Sequence, residues 1–208
     1  MPKRISRDDH VFINCPFDGN YLEILNAIVF AITHCGFFVR CALEESDAAV
    51  TRLSKIMDIM SECRYSIHDI SRTELDPTTS LPRFNMPLEL GIFLGARRFG
   101  NTGQKTKQCL ILDSKPHRYQ QFISDIAGQD IEYHNNDVRK AITCVRNWLA
   151  TKSRDRRLCS GSIIHEDYLK FQTDLPGLCD ESKLDSDELE FIDINYLVSE
   201  WCHYRNVS

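Results

Sequence analysis

Five short, mostly apolar runs alternate with longer stretches of helical periodicity through residues 1–150, and this alternation leaves the chain few architectures. The runs fall at 11–16, 37–43, 64–70, 108–113 and 131–134. They carry apolar residues at successive positions, as strands do when helices cover both faces of their sheet. Helical patterns fill the gaps at 20–35, 47–63, 85–98, 118–127 and 137–150. In the second of them Val50, Leu53, Ile56, Met57 and Met60 share one side, Arg52, Lys55 and Asp58 the other, and Ser46 or Asp47 is placed to cap the start. The third carries Pro87 in its first turn, where a missing N–H is harmless, and stops at Gly100. Strands joined through helices cross over right-handedly into a parallel sheet. The expected fold is therefore α/β, a flavodoxin-like, doubly wound, five-stranded parallel sheet of order 2-1-3-4-5. In such sheets ligands bind beyond the carboxyl ends of the strands, near the switch point between strands 1 and 3.

From residue 151 the composition changes. Residues 152–157 form a charged connector, and helical patterns follow near 166–171 and 186–204. Leu189, Ile192, Tyr196, Leu197 and Trp201 mark the expected apolar face of the last helix. The division expected is an α/β domain at 1–150 and, at 151–208, a connector and small helical extension packing on it. With 208 residues, 42% hydrophobic and 26% charged, the chain can bury a core without staples. A net charge of -5 argues against general nucleic-acid binding. The nine cysteines are odd in number, form no C-x-x-C pair, and lie mostly in the strand and helix patterns. With no apolar leader and no membrane-length run, they read as free thiols of a cytoplasmic protein. The seven histidines show no metal-ligand spacing, so no metal is expected.

The switch-point rule directs attention to the strand ends: Asn14-Cys15-Pro16-Phe17-Asp18, His68-Asp69-Ile70-Ser71-Arg72, and the loop leading into Asn85 and Glu89. Glu89 is placed in the first turn of a helix opening on that edge, where the dipole favours its ionised form. Such a carboxylate suits a nucleophile, or a stabiliser of the oxocarbenium-like centre of a breaking glycosidic bond; first-turn acids also occur for helix stability alone. Asp69 can accept ribose hydroxyls or cap the next turn. Arg83 offers a planar fork for phosphate, or a solvated charge. Phe17 can stack on a base, or seal the core. His68 reads as a partly buried strand residue. Ser124-Asp125 and Gly128-Gln129-Asp130 are unusual loop sequences without an assigned role. G-x-G-x-x-G, the P-loop and G-x-S-x-G are all absent.

The strand end His68-Asp69-Ile70-Ser71, a variable loop, and then Met86-Pro87-Leu88-Glu89-Leu90-Gly91 resemble the nucleoside 2-deoxyribosyltransferase family. There a strand ends in aspartate and the following helix carries the nucleophilic glutamate in a Glu-Leu-Gly or Glu-Val-Gly motif. The layout is also similar to TIR and TIR-like domains, in which an equivalent glutamate cleaves the nicotinamide–ribose bond of NAD. Val11 to Asp18, followed by Tyr21, is similar to the first strand and loop of bacterial TIR-like proteins, several of which serve in antiviral defence. The resemblance spans roughly 11–149. Met86 and Pro87 depart from the small residues of the transferase loop, which favours hydrolysis over transfer. It implies an N-glycosidase acting on NAD or a related nucleotide or nucleoside, with NAD as substrate and no cofactor. Glu89 is then catalytic, and Phe17, Asp18, Asp69, Ser71, Arg83 and Asn85 bind substrate. Assembly as a homo-oligomer or with a partner protein, and no membrane association, complete the expectation. The rival is a nucleotide-sensing or assembly module of the same fold without catalysis; an enzyme needs Glu89 as a carboxylate, whereas a binder tolerates Gln.

Overall fold

The computed structural model describes residues 7–75, 80–153 and 157–207. Five strands, β1 (His10–Asn14), β2 (Phe38–Cys41), β3 (Tyr65–Asp69), β4 (Gln108–Asp113) and β5 (Ile131–Tyr133), form one sheet of order β2-β1-β3-β4-β5. Every neighbouring pair is parallel. This is the flavodoxin-like arrangement the alternation implies. Three helices face the strands through the crossovers as read from sequence: α1 (Leu22–His34), α2 (Arg52–Glu62) and α3 (Asn85–Phe99). A short helix, α4 (Thr102–Lys105), follows, then α5 (Val138–Ala150), and the chain closes with α6 (Gly161–Ser182) and α7 (Phe191–Val207).

The two faces of the sheet are covered unequally. On one, α1 and α5 pack on Val11, Ile13 and Ile67, and α6 and α7 form a further layer outside them. Phe30 of α1 shows why that helix is apolar nearly all round: its ring lies 5.4 Å from Tyr168 of α6 and 5.4 Å from Trp201 of α7. An outer helical layer removes the polar face a surface helix needs. On the other face α2 and α3 cover Phe12 through Ile56, Ile59, Met60 and Phe93, and a smaller cluster gathers Ile70, Leu90, Ile111 and Tyr119. Lys107, 1% exposed, donates to the carbonyls of Met60 and Cys63 at 2.6 and 2.7 Å, and so caps the end of α2.

Several elements differ from expectation, each for a local reason. The second helix begins at Arg52, capped by Thr51, whose hydroxyl accepts from the Ser54 amide. Asp47 instead accepts from the Ala49 amide in a turn of its own. The expected helix at 118–127 is two 3-10 turns, Arg118–Gln121 and Ser124–Ile126, preceded by His117 in the left-handed region (φ 57). Asn101 caps α4 within the segment read as loop. α6 runs for 22 residues through Pro176, far beyond the expected 166–171. In α7 the buried side is Phe191, Ile194, Leu197, Val198, Trp201 and Cys202, while Ile192 and Tyr196 point outward. All nine cysteines are free thiols. Residues 154–156 of the charged connector and 76–79 of the long loop lie outside the described residues. Among the described residues no helix is long and apolar enough to cross a membrane.

Candidate active site

The carboxyl ends of β1, β3, β4 and β5 meet at one edge, and a buried polar network occupies it. Asp69, the last residue of β3, is fully buried. Its Oδ1 accepts the Ser71 amide at 2.8 Å, and its Oδ2 accepts the Tyr21 hydroxyl at 2.5 Å. His134, just past β5, brings Nε2 to 3.0 Å from the same Oδ2, close but off the line of an aligned hydrogen bond. Its Nδ1 accepts the Asn136 amide, which assigns the proton to Nε2 and turns it toward the carboxylate. Burial pushes the Asp69 carboxyl up, but His134, Ser71 and Tyr21 outweigh it and hold the group below its ordinary range. Burial, joined by the charge of Asp69, pushes the Tyr21 phenol well up.

A second network fixes the start of α3. Asn14 Nδ2, at the end of β1, lies 3.0 Å from His68 Nδ1 and donates to the Met86 carbonyl at 3.0 Å. His68 Nε2 lies 2.7 Å from the Ser66 hydroxyl, and burial holds the imidazole neutral, down to about 3. The first turn of α3 is thus tied to the middle of the sheet.

Glu89 sits one turn beyond Asn85 on the same face of α3, past the first turn where the dipole acts most strongly. This corrects the placement expected from sequence. Burial pushes its carboxyl up to about 7, with only the charge of Arg52 pulling the other way. It is 9% exposed and makes no hydrogen bond or ion pair with any described residue. Its charge acts on the buried Cys15 and Cys41 thiols, which places it over the ends of β1 and β2.

Above lies a cavity of about 520 Å³ lined by Pro16, Phe17, Asp18, Arg52, Arg72, Arg83, Asn85 and Met86. Three arginines from separate segments face one carboxylate there, Asp18, whose Oδ2 is 3.7 Å from Arg83. The Arg52 guanidinium stands 5.8 Å over the Phe17 ring. Of the residues expected to bind substrate, the structure brings Phe17, Asp18, Arg83 and Asn85 together around this cavity. Asp69 and Ser71 are fully enclosed, and Glu89 does not line the cavity; its link to it is Arg52, a lining residue whose charge acts on the Glu89 carboxyl. Asp69 therefore acts by holding Tyr21 and Ser71, with His134 beside it, since it is enclosed away from the cavity.

Sequence reasoning passed over Arg52, Arg72 and His134. Arg52 was assigned to the solvent side of its helix, yet it is the first residue of α2, whose start opens on the same edge. His134 follows a strand end, so the switch-point rule could have found it. Nearby, Ser71 Oγ, Arg72 Nε and Asp113 Oδ2 are enclosed without a hydrogen-bond partner among the described residues. Burial foremost pushes the Asp113 carboxyl up, against the pull of Arg118, whose Nε donates to Oδ1 at 2.7 Å. The loop residues 128–130, without a role in the sequence, lie at the opposite edge of the sheet.

Comparison with protein-family models, curated proteins and solved structures gave no match.

Proposed function

We propose that the chain binds a phosphate-bearing nucleotide at the carboxyl edge of the sheet and cleaves its N-glycosidic bond with Glu89. The observation carrying this reading is an unpaired, desolvated carboxyl one helical turn from Asn85 and within the field of Arg52, two residues that line an arginine-rich cavity. Stability alone gives no reason to bury such a group without a partner. Its chemical use is to oppose positive charge. As the bond from C1′ to the base nitrogen breaks, the electron pair leaves with the base and C1′ becomes cationic. The Glu89 carboxylate stabilises or captures that centre. Water then donates its oxygen to C1′, and its proton passes to the released base or to solvent.

Arg52, Arg72 and Arg83 favour a nucleotide over a bare nucleoside, because guanidinium forks match phosphate oxygens. Phe17 supplies a ring face for the base. NAD fits as a substrate of this class and needs no cofactor-binding fingerprint. The resemblance to TIR-like proteins extends the reading to antiviral defence, and nine free thiols suit a reducing compartment.

The test is to incubate the purified chain with NAD, mononucleotides and the matching nucleosides and to follow released base by chromatography. Release from a phosphate-bearing substrate, and much less from its nucleoside, is expected. Tight nucleotide binding with no release from any member of the panel would transfer the reading to a sensor.

A further inference from the structure

At the opposite, amino edge of the sheet the last two strands do not match in length. β4 begins at Gln108, but β5 pairs with it only from Ile111 onward. The Gln108 amide donates to the Arg64 carbonyl on the β3 side at 3.0 Å. Backbone groups alternate in direction along a strand, so the N–H and C=O of Cys109 face the side where β5 has not yet begun. This leaves a short stretch of β4 edge with no neighbouring strand.

An open groove of about 930 Å³ lies over that stretch, with Gln108, Cys109 and Leu110 along its floor. Its walls are cationic. Arg97, from the end of α3, and Lys105, from α4, stand on one side. Lys140, in the first turn of α5, and Lys152, just past its end, stand on the other, with their ammonium groups 3.5 Å over the Tyr133 ring and 5.5 Å over the Trp148 ring. Asp130 and Glu132 also line the groove, but none of these four cations forms an ion pair with a carboxylate among the described residues. Burial, and the charges of Arg64 and Arg97, lower the Lys152 ammonium, so like charges crowd here. A second hollow of about 730 Å³ continues the groove past Arg98 and Gly128. In a chain of net charge -5 this concentration of cations runs against the average surface.

We propose that the groove docks an extended acidic peptide of a partner protein, its backbone pairing with Cys109 and its carboxylates meeting Arg97, Lys105, Lys140 and Lys152. The unpaired edge decides for a peptide. The outward Cys109 carbonyl needs a donor and its N–H an acceptor; a peptide backbone supplies both, whereas phosphate groups supply acceptors only. Cations on both walls suit side chains that alternate to either side of an extended strand. The inference is independent of the chemistry at Glu89.

Fluorescence anisotropy of the full chain with a labelled peptide carrying Asp at consecutive positions, so that carboxylates fall on both sides of the extended strand, tests it. Saturable binding is expected, weakened on the order of tenfold by R97E/K105E and by K140E/K152E, and weakened similarly when the peptide backbone is N-methylated. Two separate charge reversals keep the test decisive if one variant fails to melt like the wild type. Glu89→Gln is expected to leave binding unchanged. Four results would overturn the proposal: no peptide binding; indifference to both reversals; equal binding of the N-methylated peptide; or equal binding of an oligothymidylate of the same charge. Concentration-dependent dimerisation abolished by the same reversals would assign the groove to a second copy instead.

Discussion

Asp69 and Glu89 are both buried acids near one edge of the sheet, yet their surroundings are opposite. Asp69 ends a central strand and accepts the Ser71 amide and Tyr21 hydroxyl, with His134 beside it. Its charge is wanted by the fold, and its carboxyl is held low. Glu89 lies on the second turn of α3 with no described partner, and burial pushes its carboxyl up to about 7. Its charge is a burden to the fold. Strain of this kind survives at working sites, where a group is held for its chemistry and the surrounding structure bears the cost. The satisfied acid is architecture, and the unsatisfied one is the candidate reagent.

Three substitutions sharpen the contrast. Asp69→Asn has the largest expected effect on the fold. Asn keeps the shape but cannot accept both the hydroxyl and the amide as a charged group does, so about 3 kcal/mol is expected to be lost. That corresponds to a fall in Tm of roughly 6–12 °C for a chain of this size. A shift within a degree of wild type would show that the network is not structural. The same carboxylate sets an acid limit: its folded value is lowered, so its contribution is present above the unfolded value near 3.8 and is lost as pH falls through the folded value.

Glu89→Gln is expected to act in the other direction. Between the unfolded value of 4.5 and the folded value of about 7 the folded chain keeps a proton that the unfolded chain releases, so stability falls as pH rises through this window. Removing the group should stabilise the protein by about 1–3 kcal/mol at pH 8 and by almost nothing at pH 4, read from urea midpoints at both pH values. Equal effects at the two pH values would mean that the Glu89 carboxyl is not raised. The smallest effect is on binding. Arg83→Ala should weaken a nucleotide by about 1 kcal/mol and leave its nucleoside unaffected, measured by calorimetry. Equal weakening of both would remove phosphate from the role of Arg83.

The sheet was legible because its signal is carried by whole segments: apolar runs, helical repeats and their order. The outer layer was harder to read. Ile192 and Tyr196 were placed inside by their apolar character, but α7 turns Ile194 and Val198 inward because it packs on α1 beside α6, a neighbour no local pattern announces. At the site, Phe17, Asp18, Arg83 and Asn85 were found because strand and loop ends declare themselves. Arg52 was missed because amphipathic patterning assigns a helix-start arginine to solvent. The charge state of Glu89 was misjudged for a related reason: the dipole argument depends on the helix start, whereas burial depends on the whole fold.

The most direct test of the central claim is the rate of base release at pH 8 by wild type and by Glu89→Gln, on the phosphate-bearing substrate the panel identifies. Gln keeps the shape of the side chain but offers no charge to the C1′ centre. The expected result is a loss on the order of 100-fold or more in a variant that melts no lower than wild type. Release at the wild-type rate by that variant would contradict the account and remove Glu89 from the chemistry.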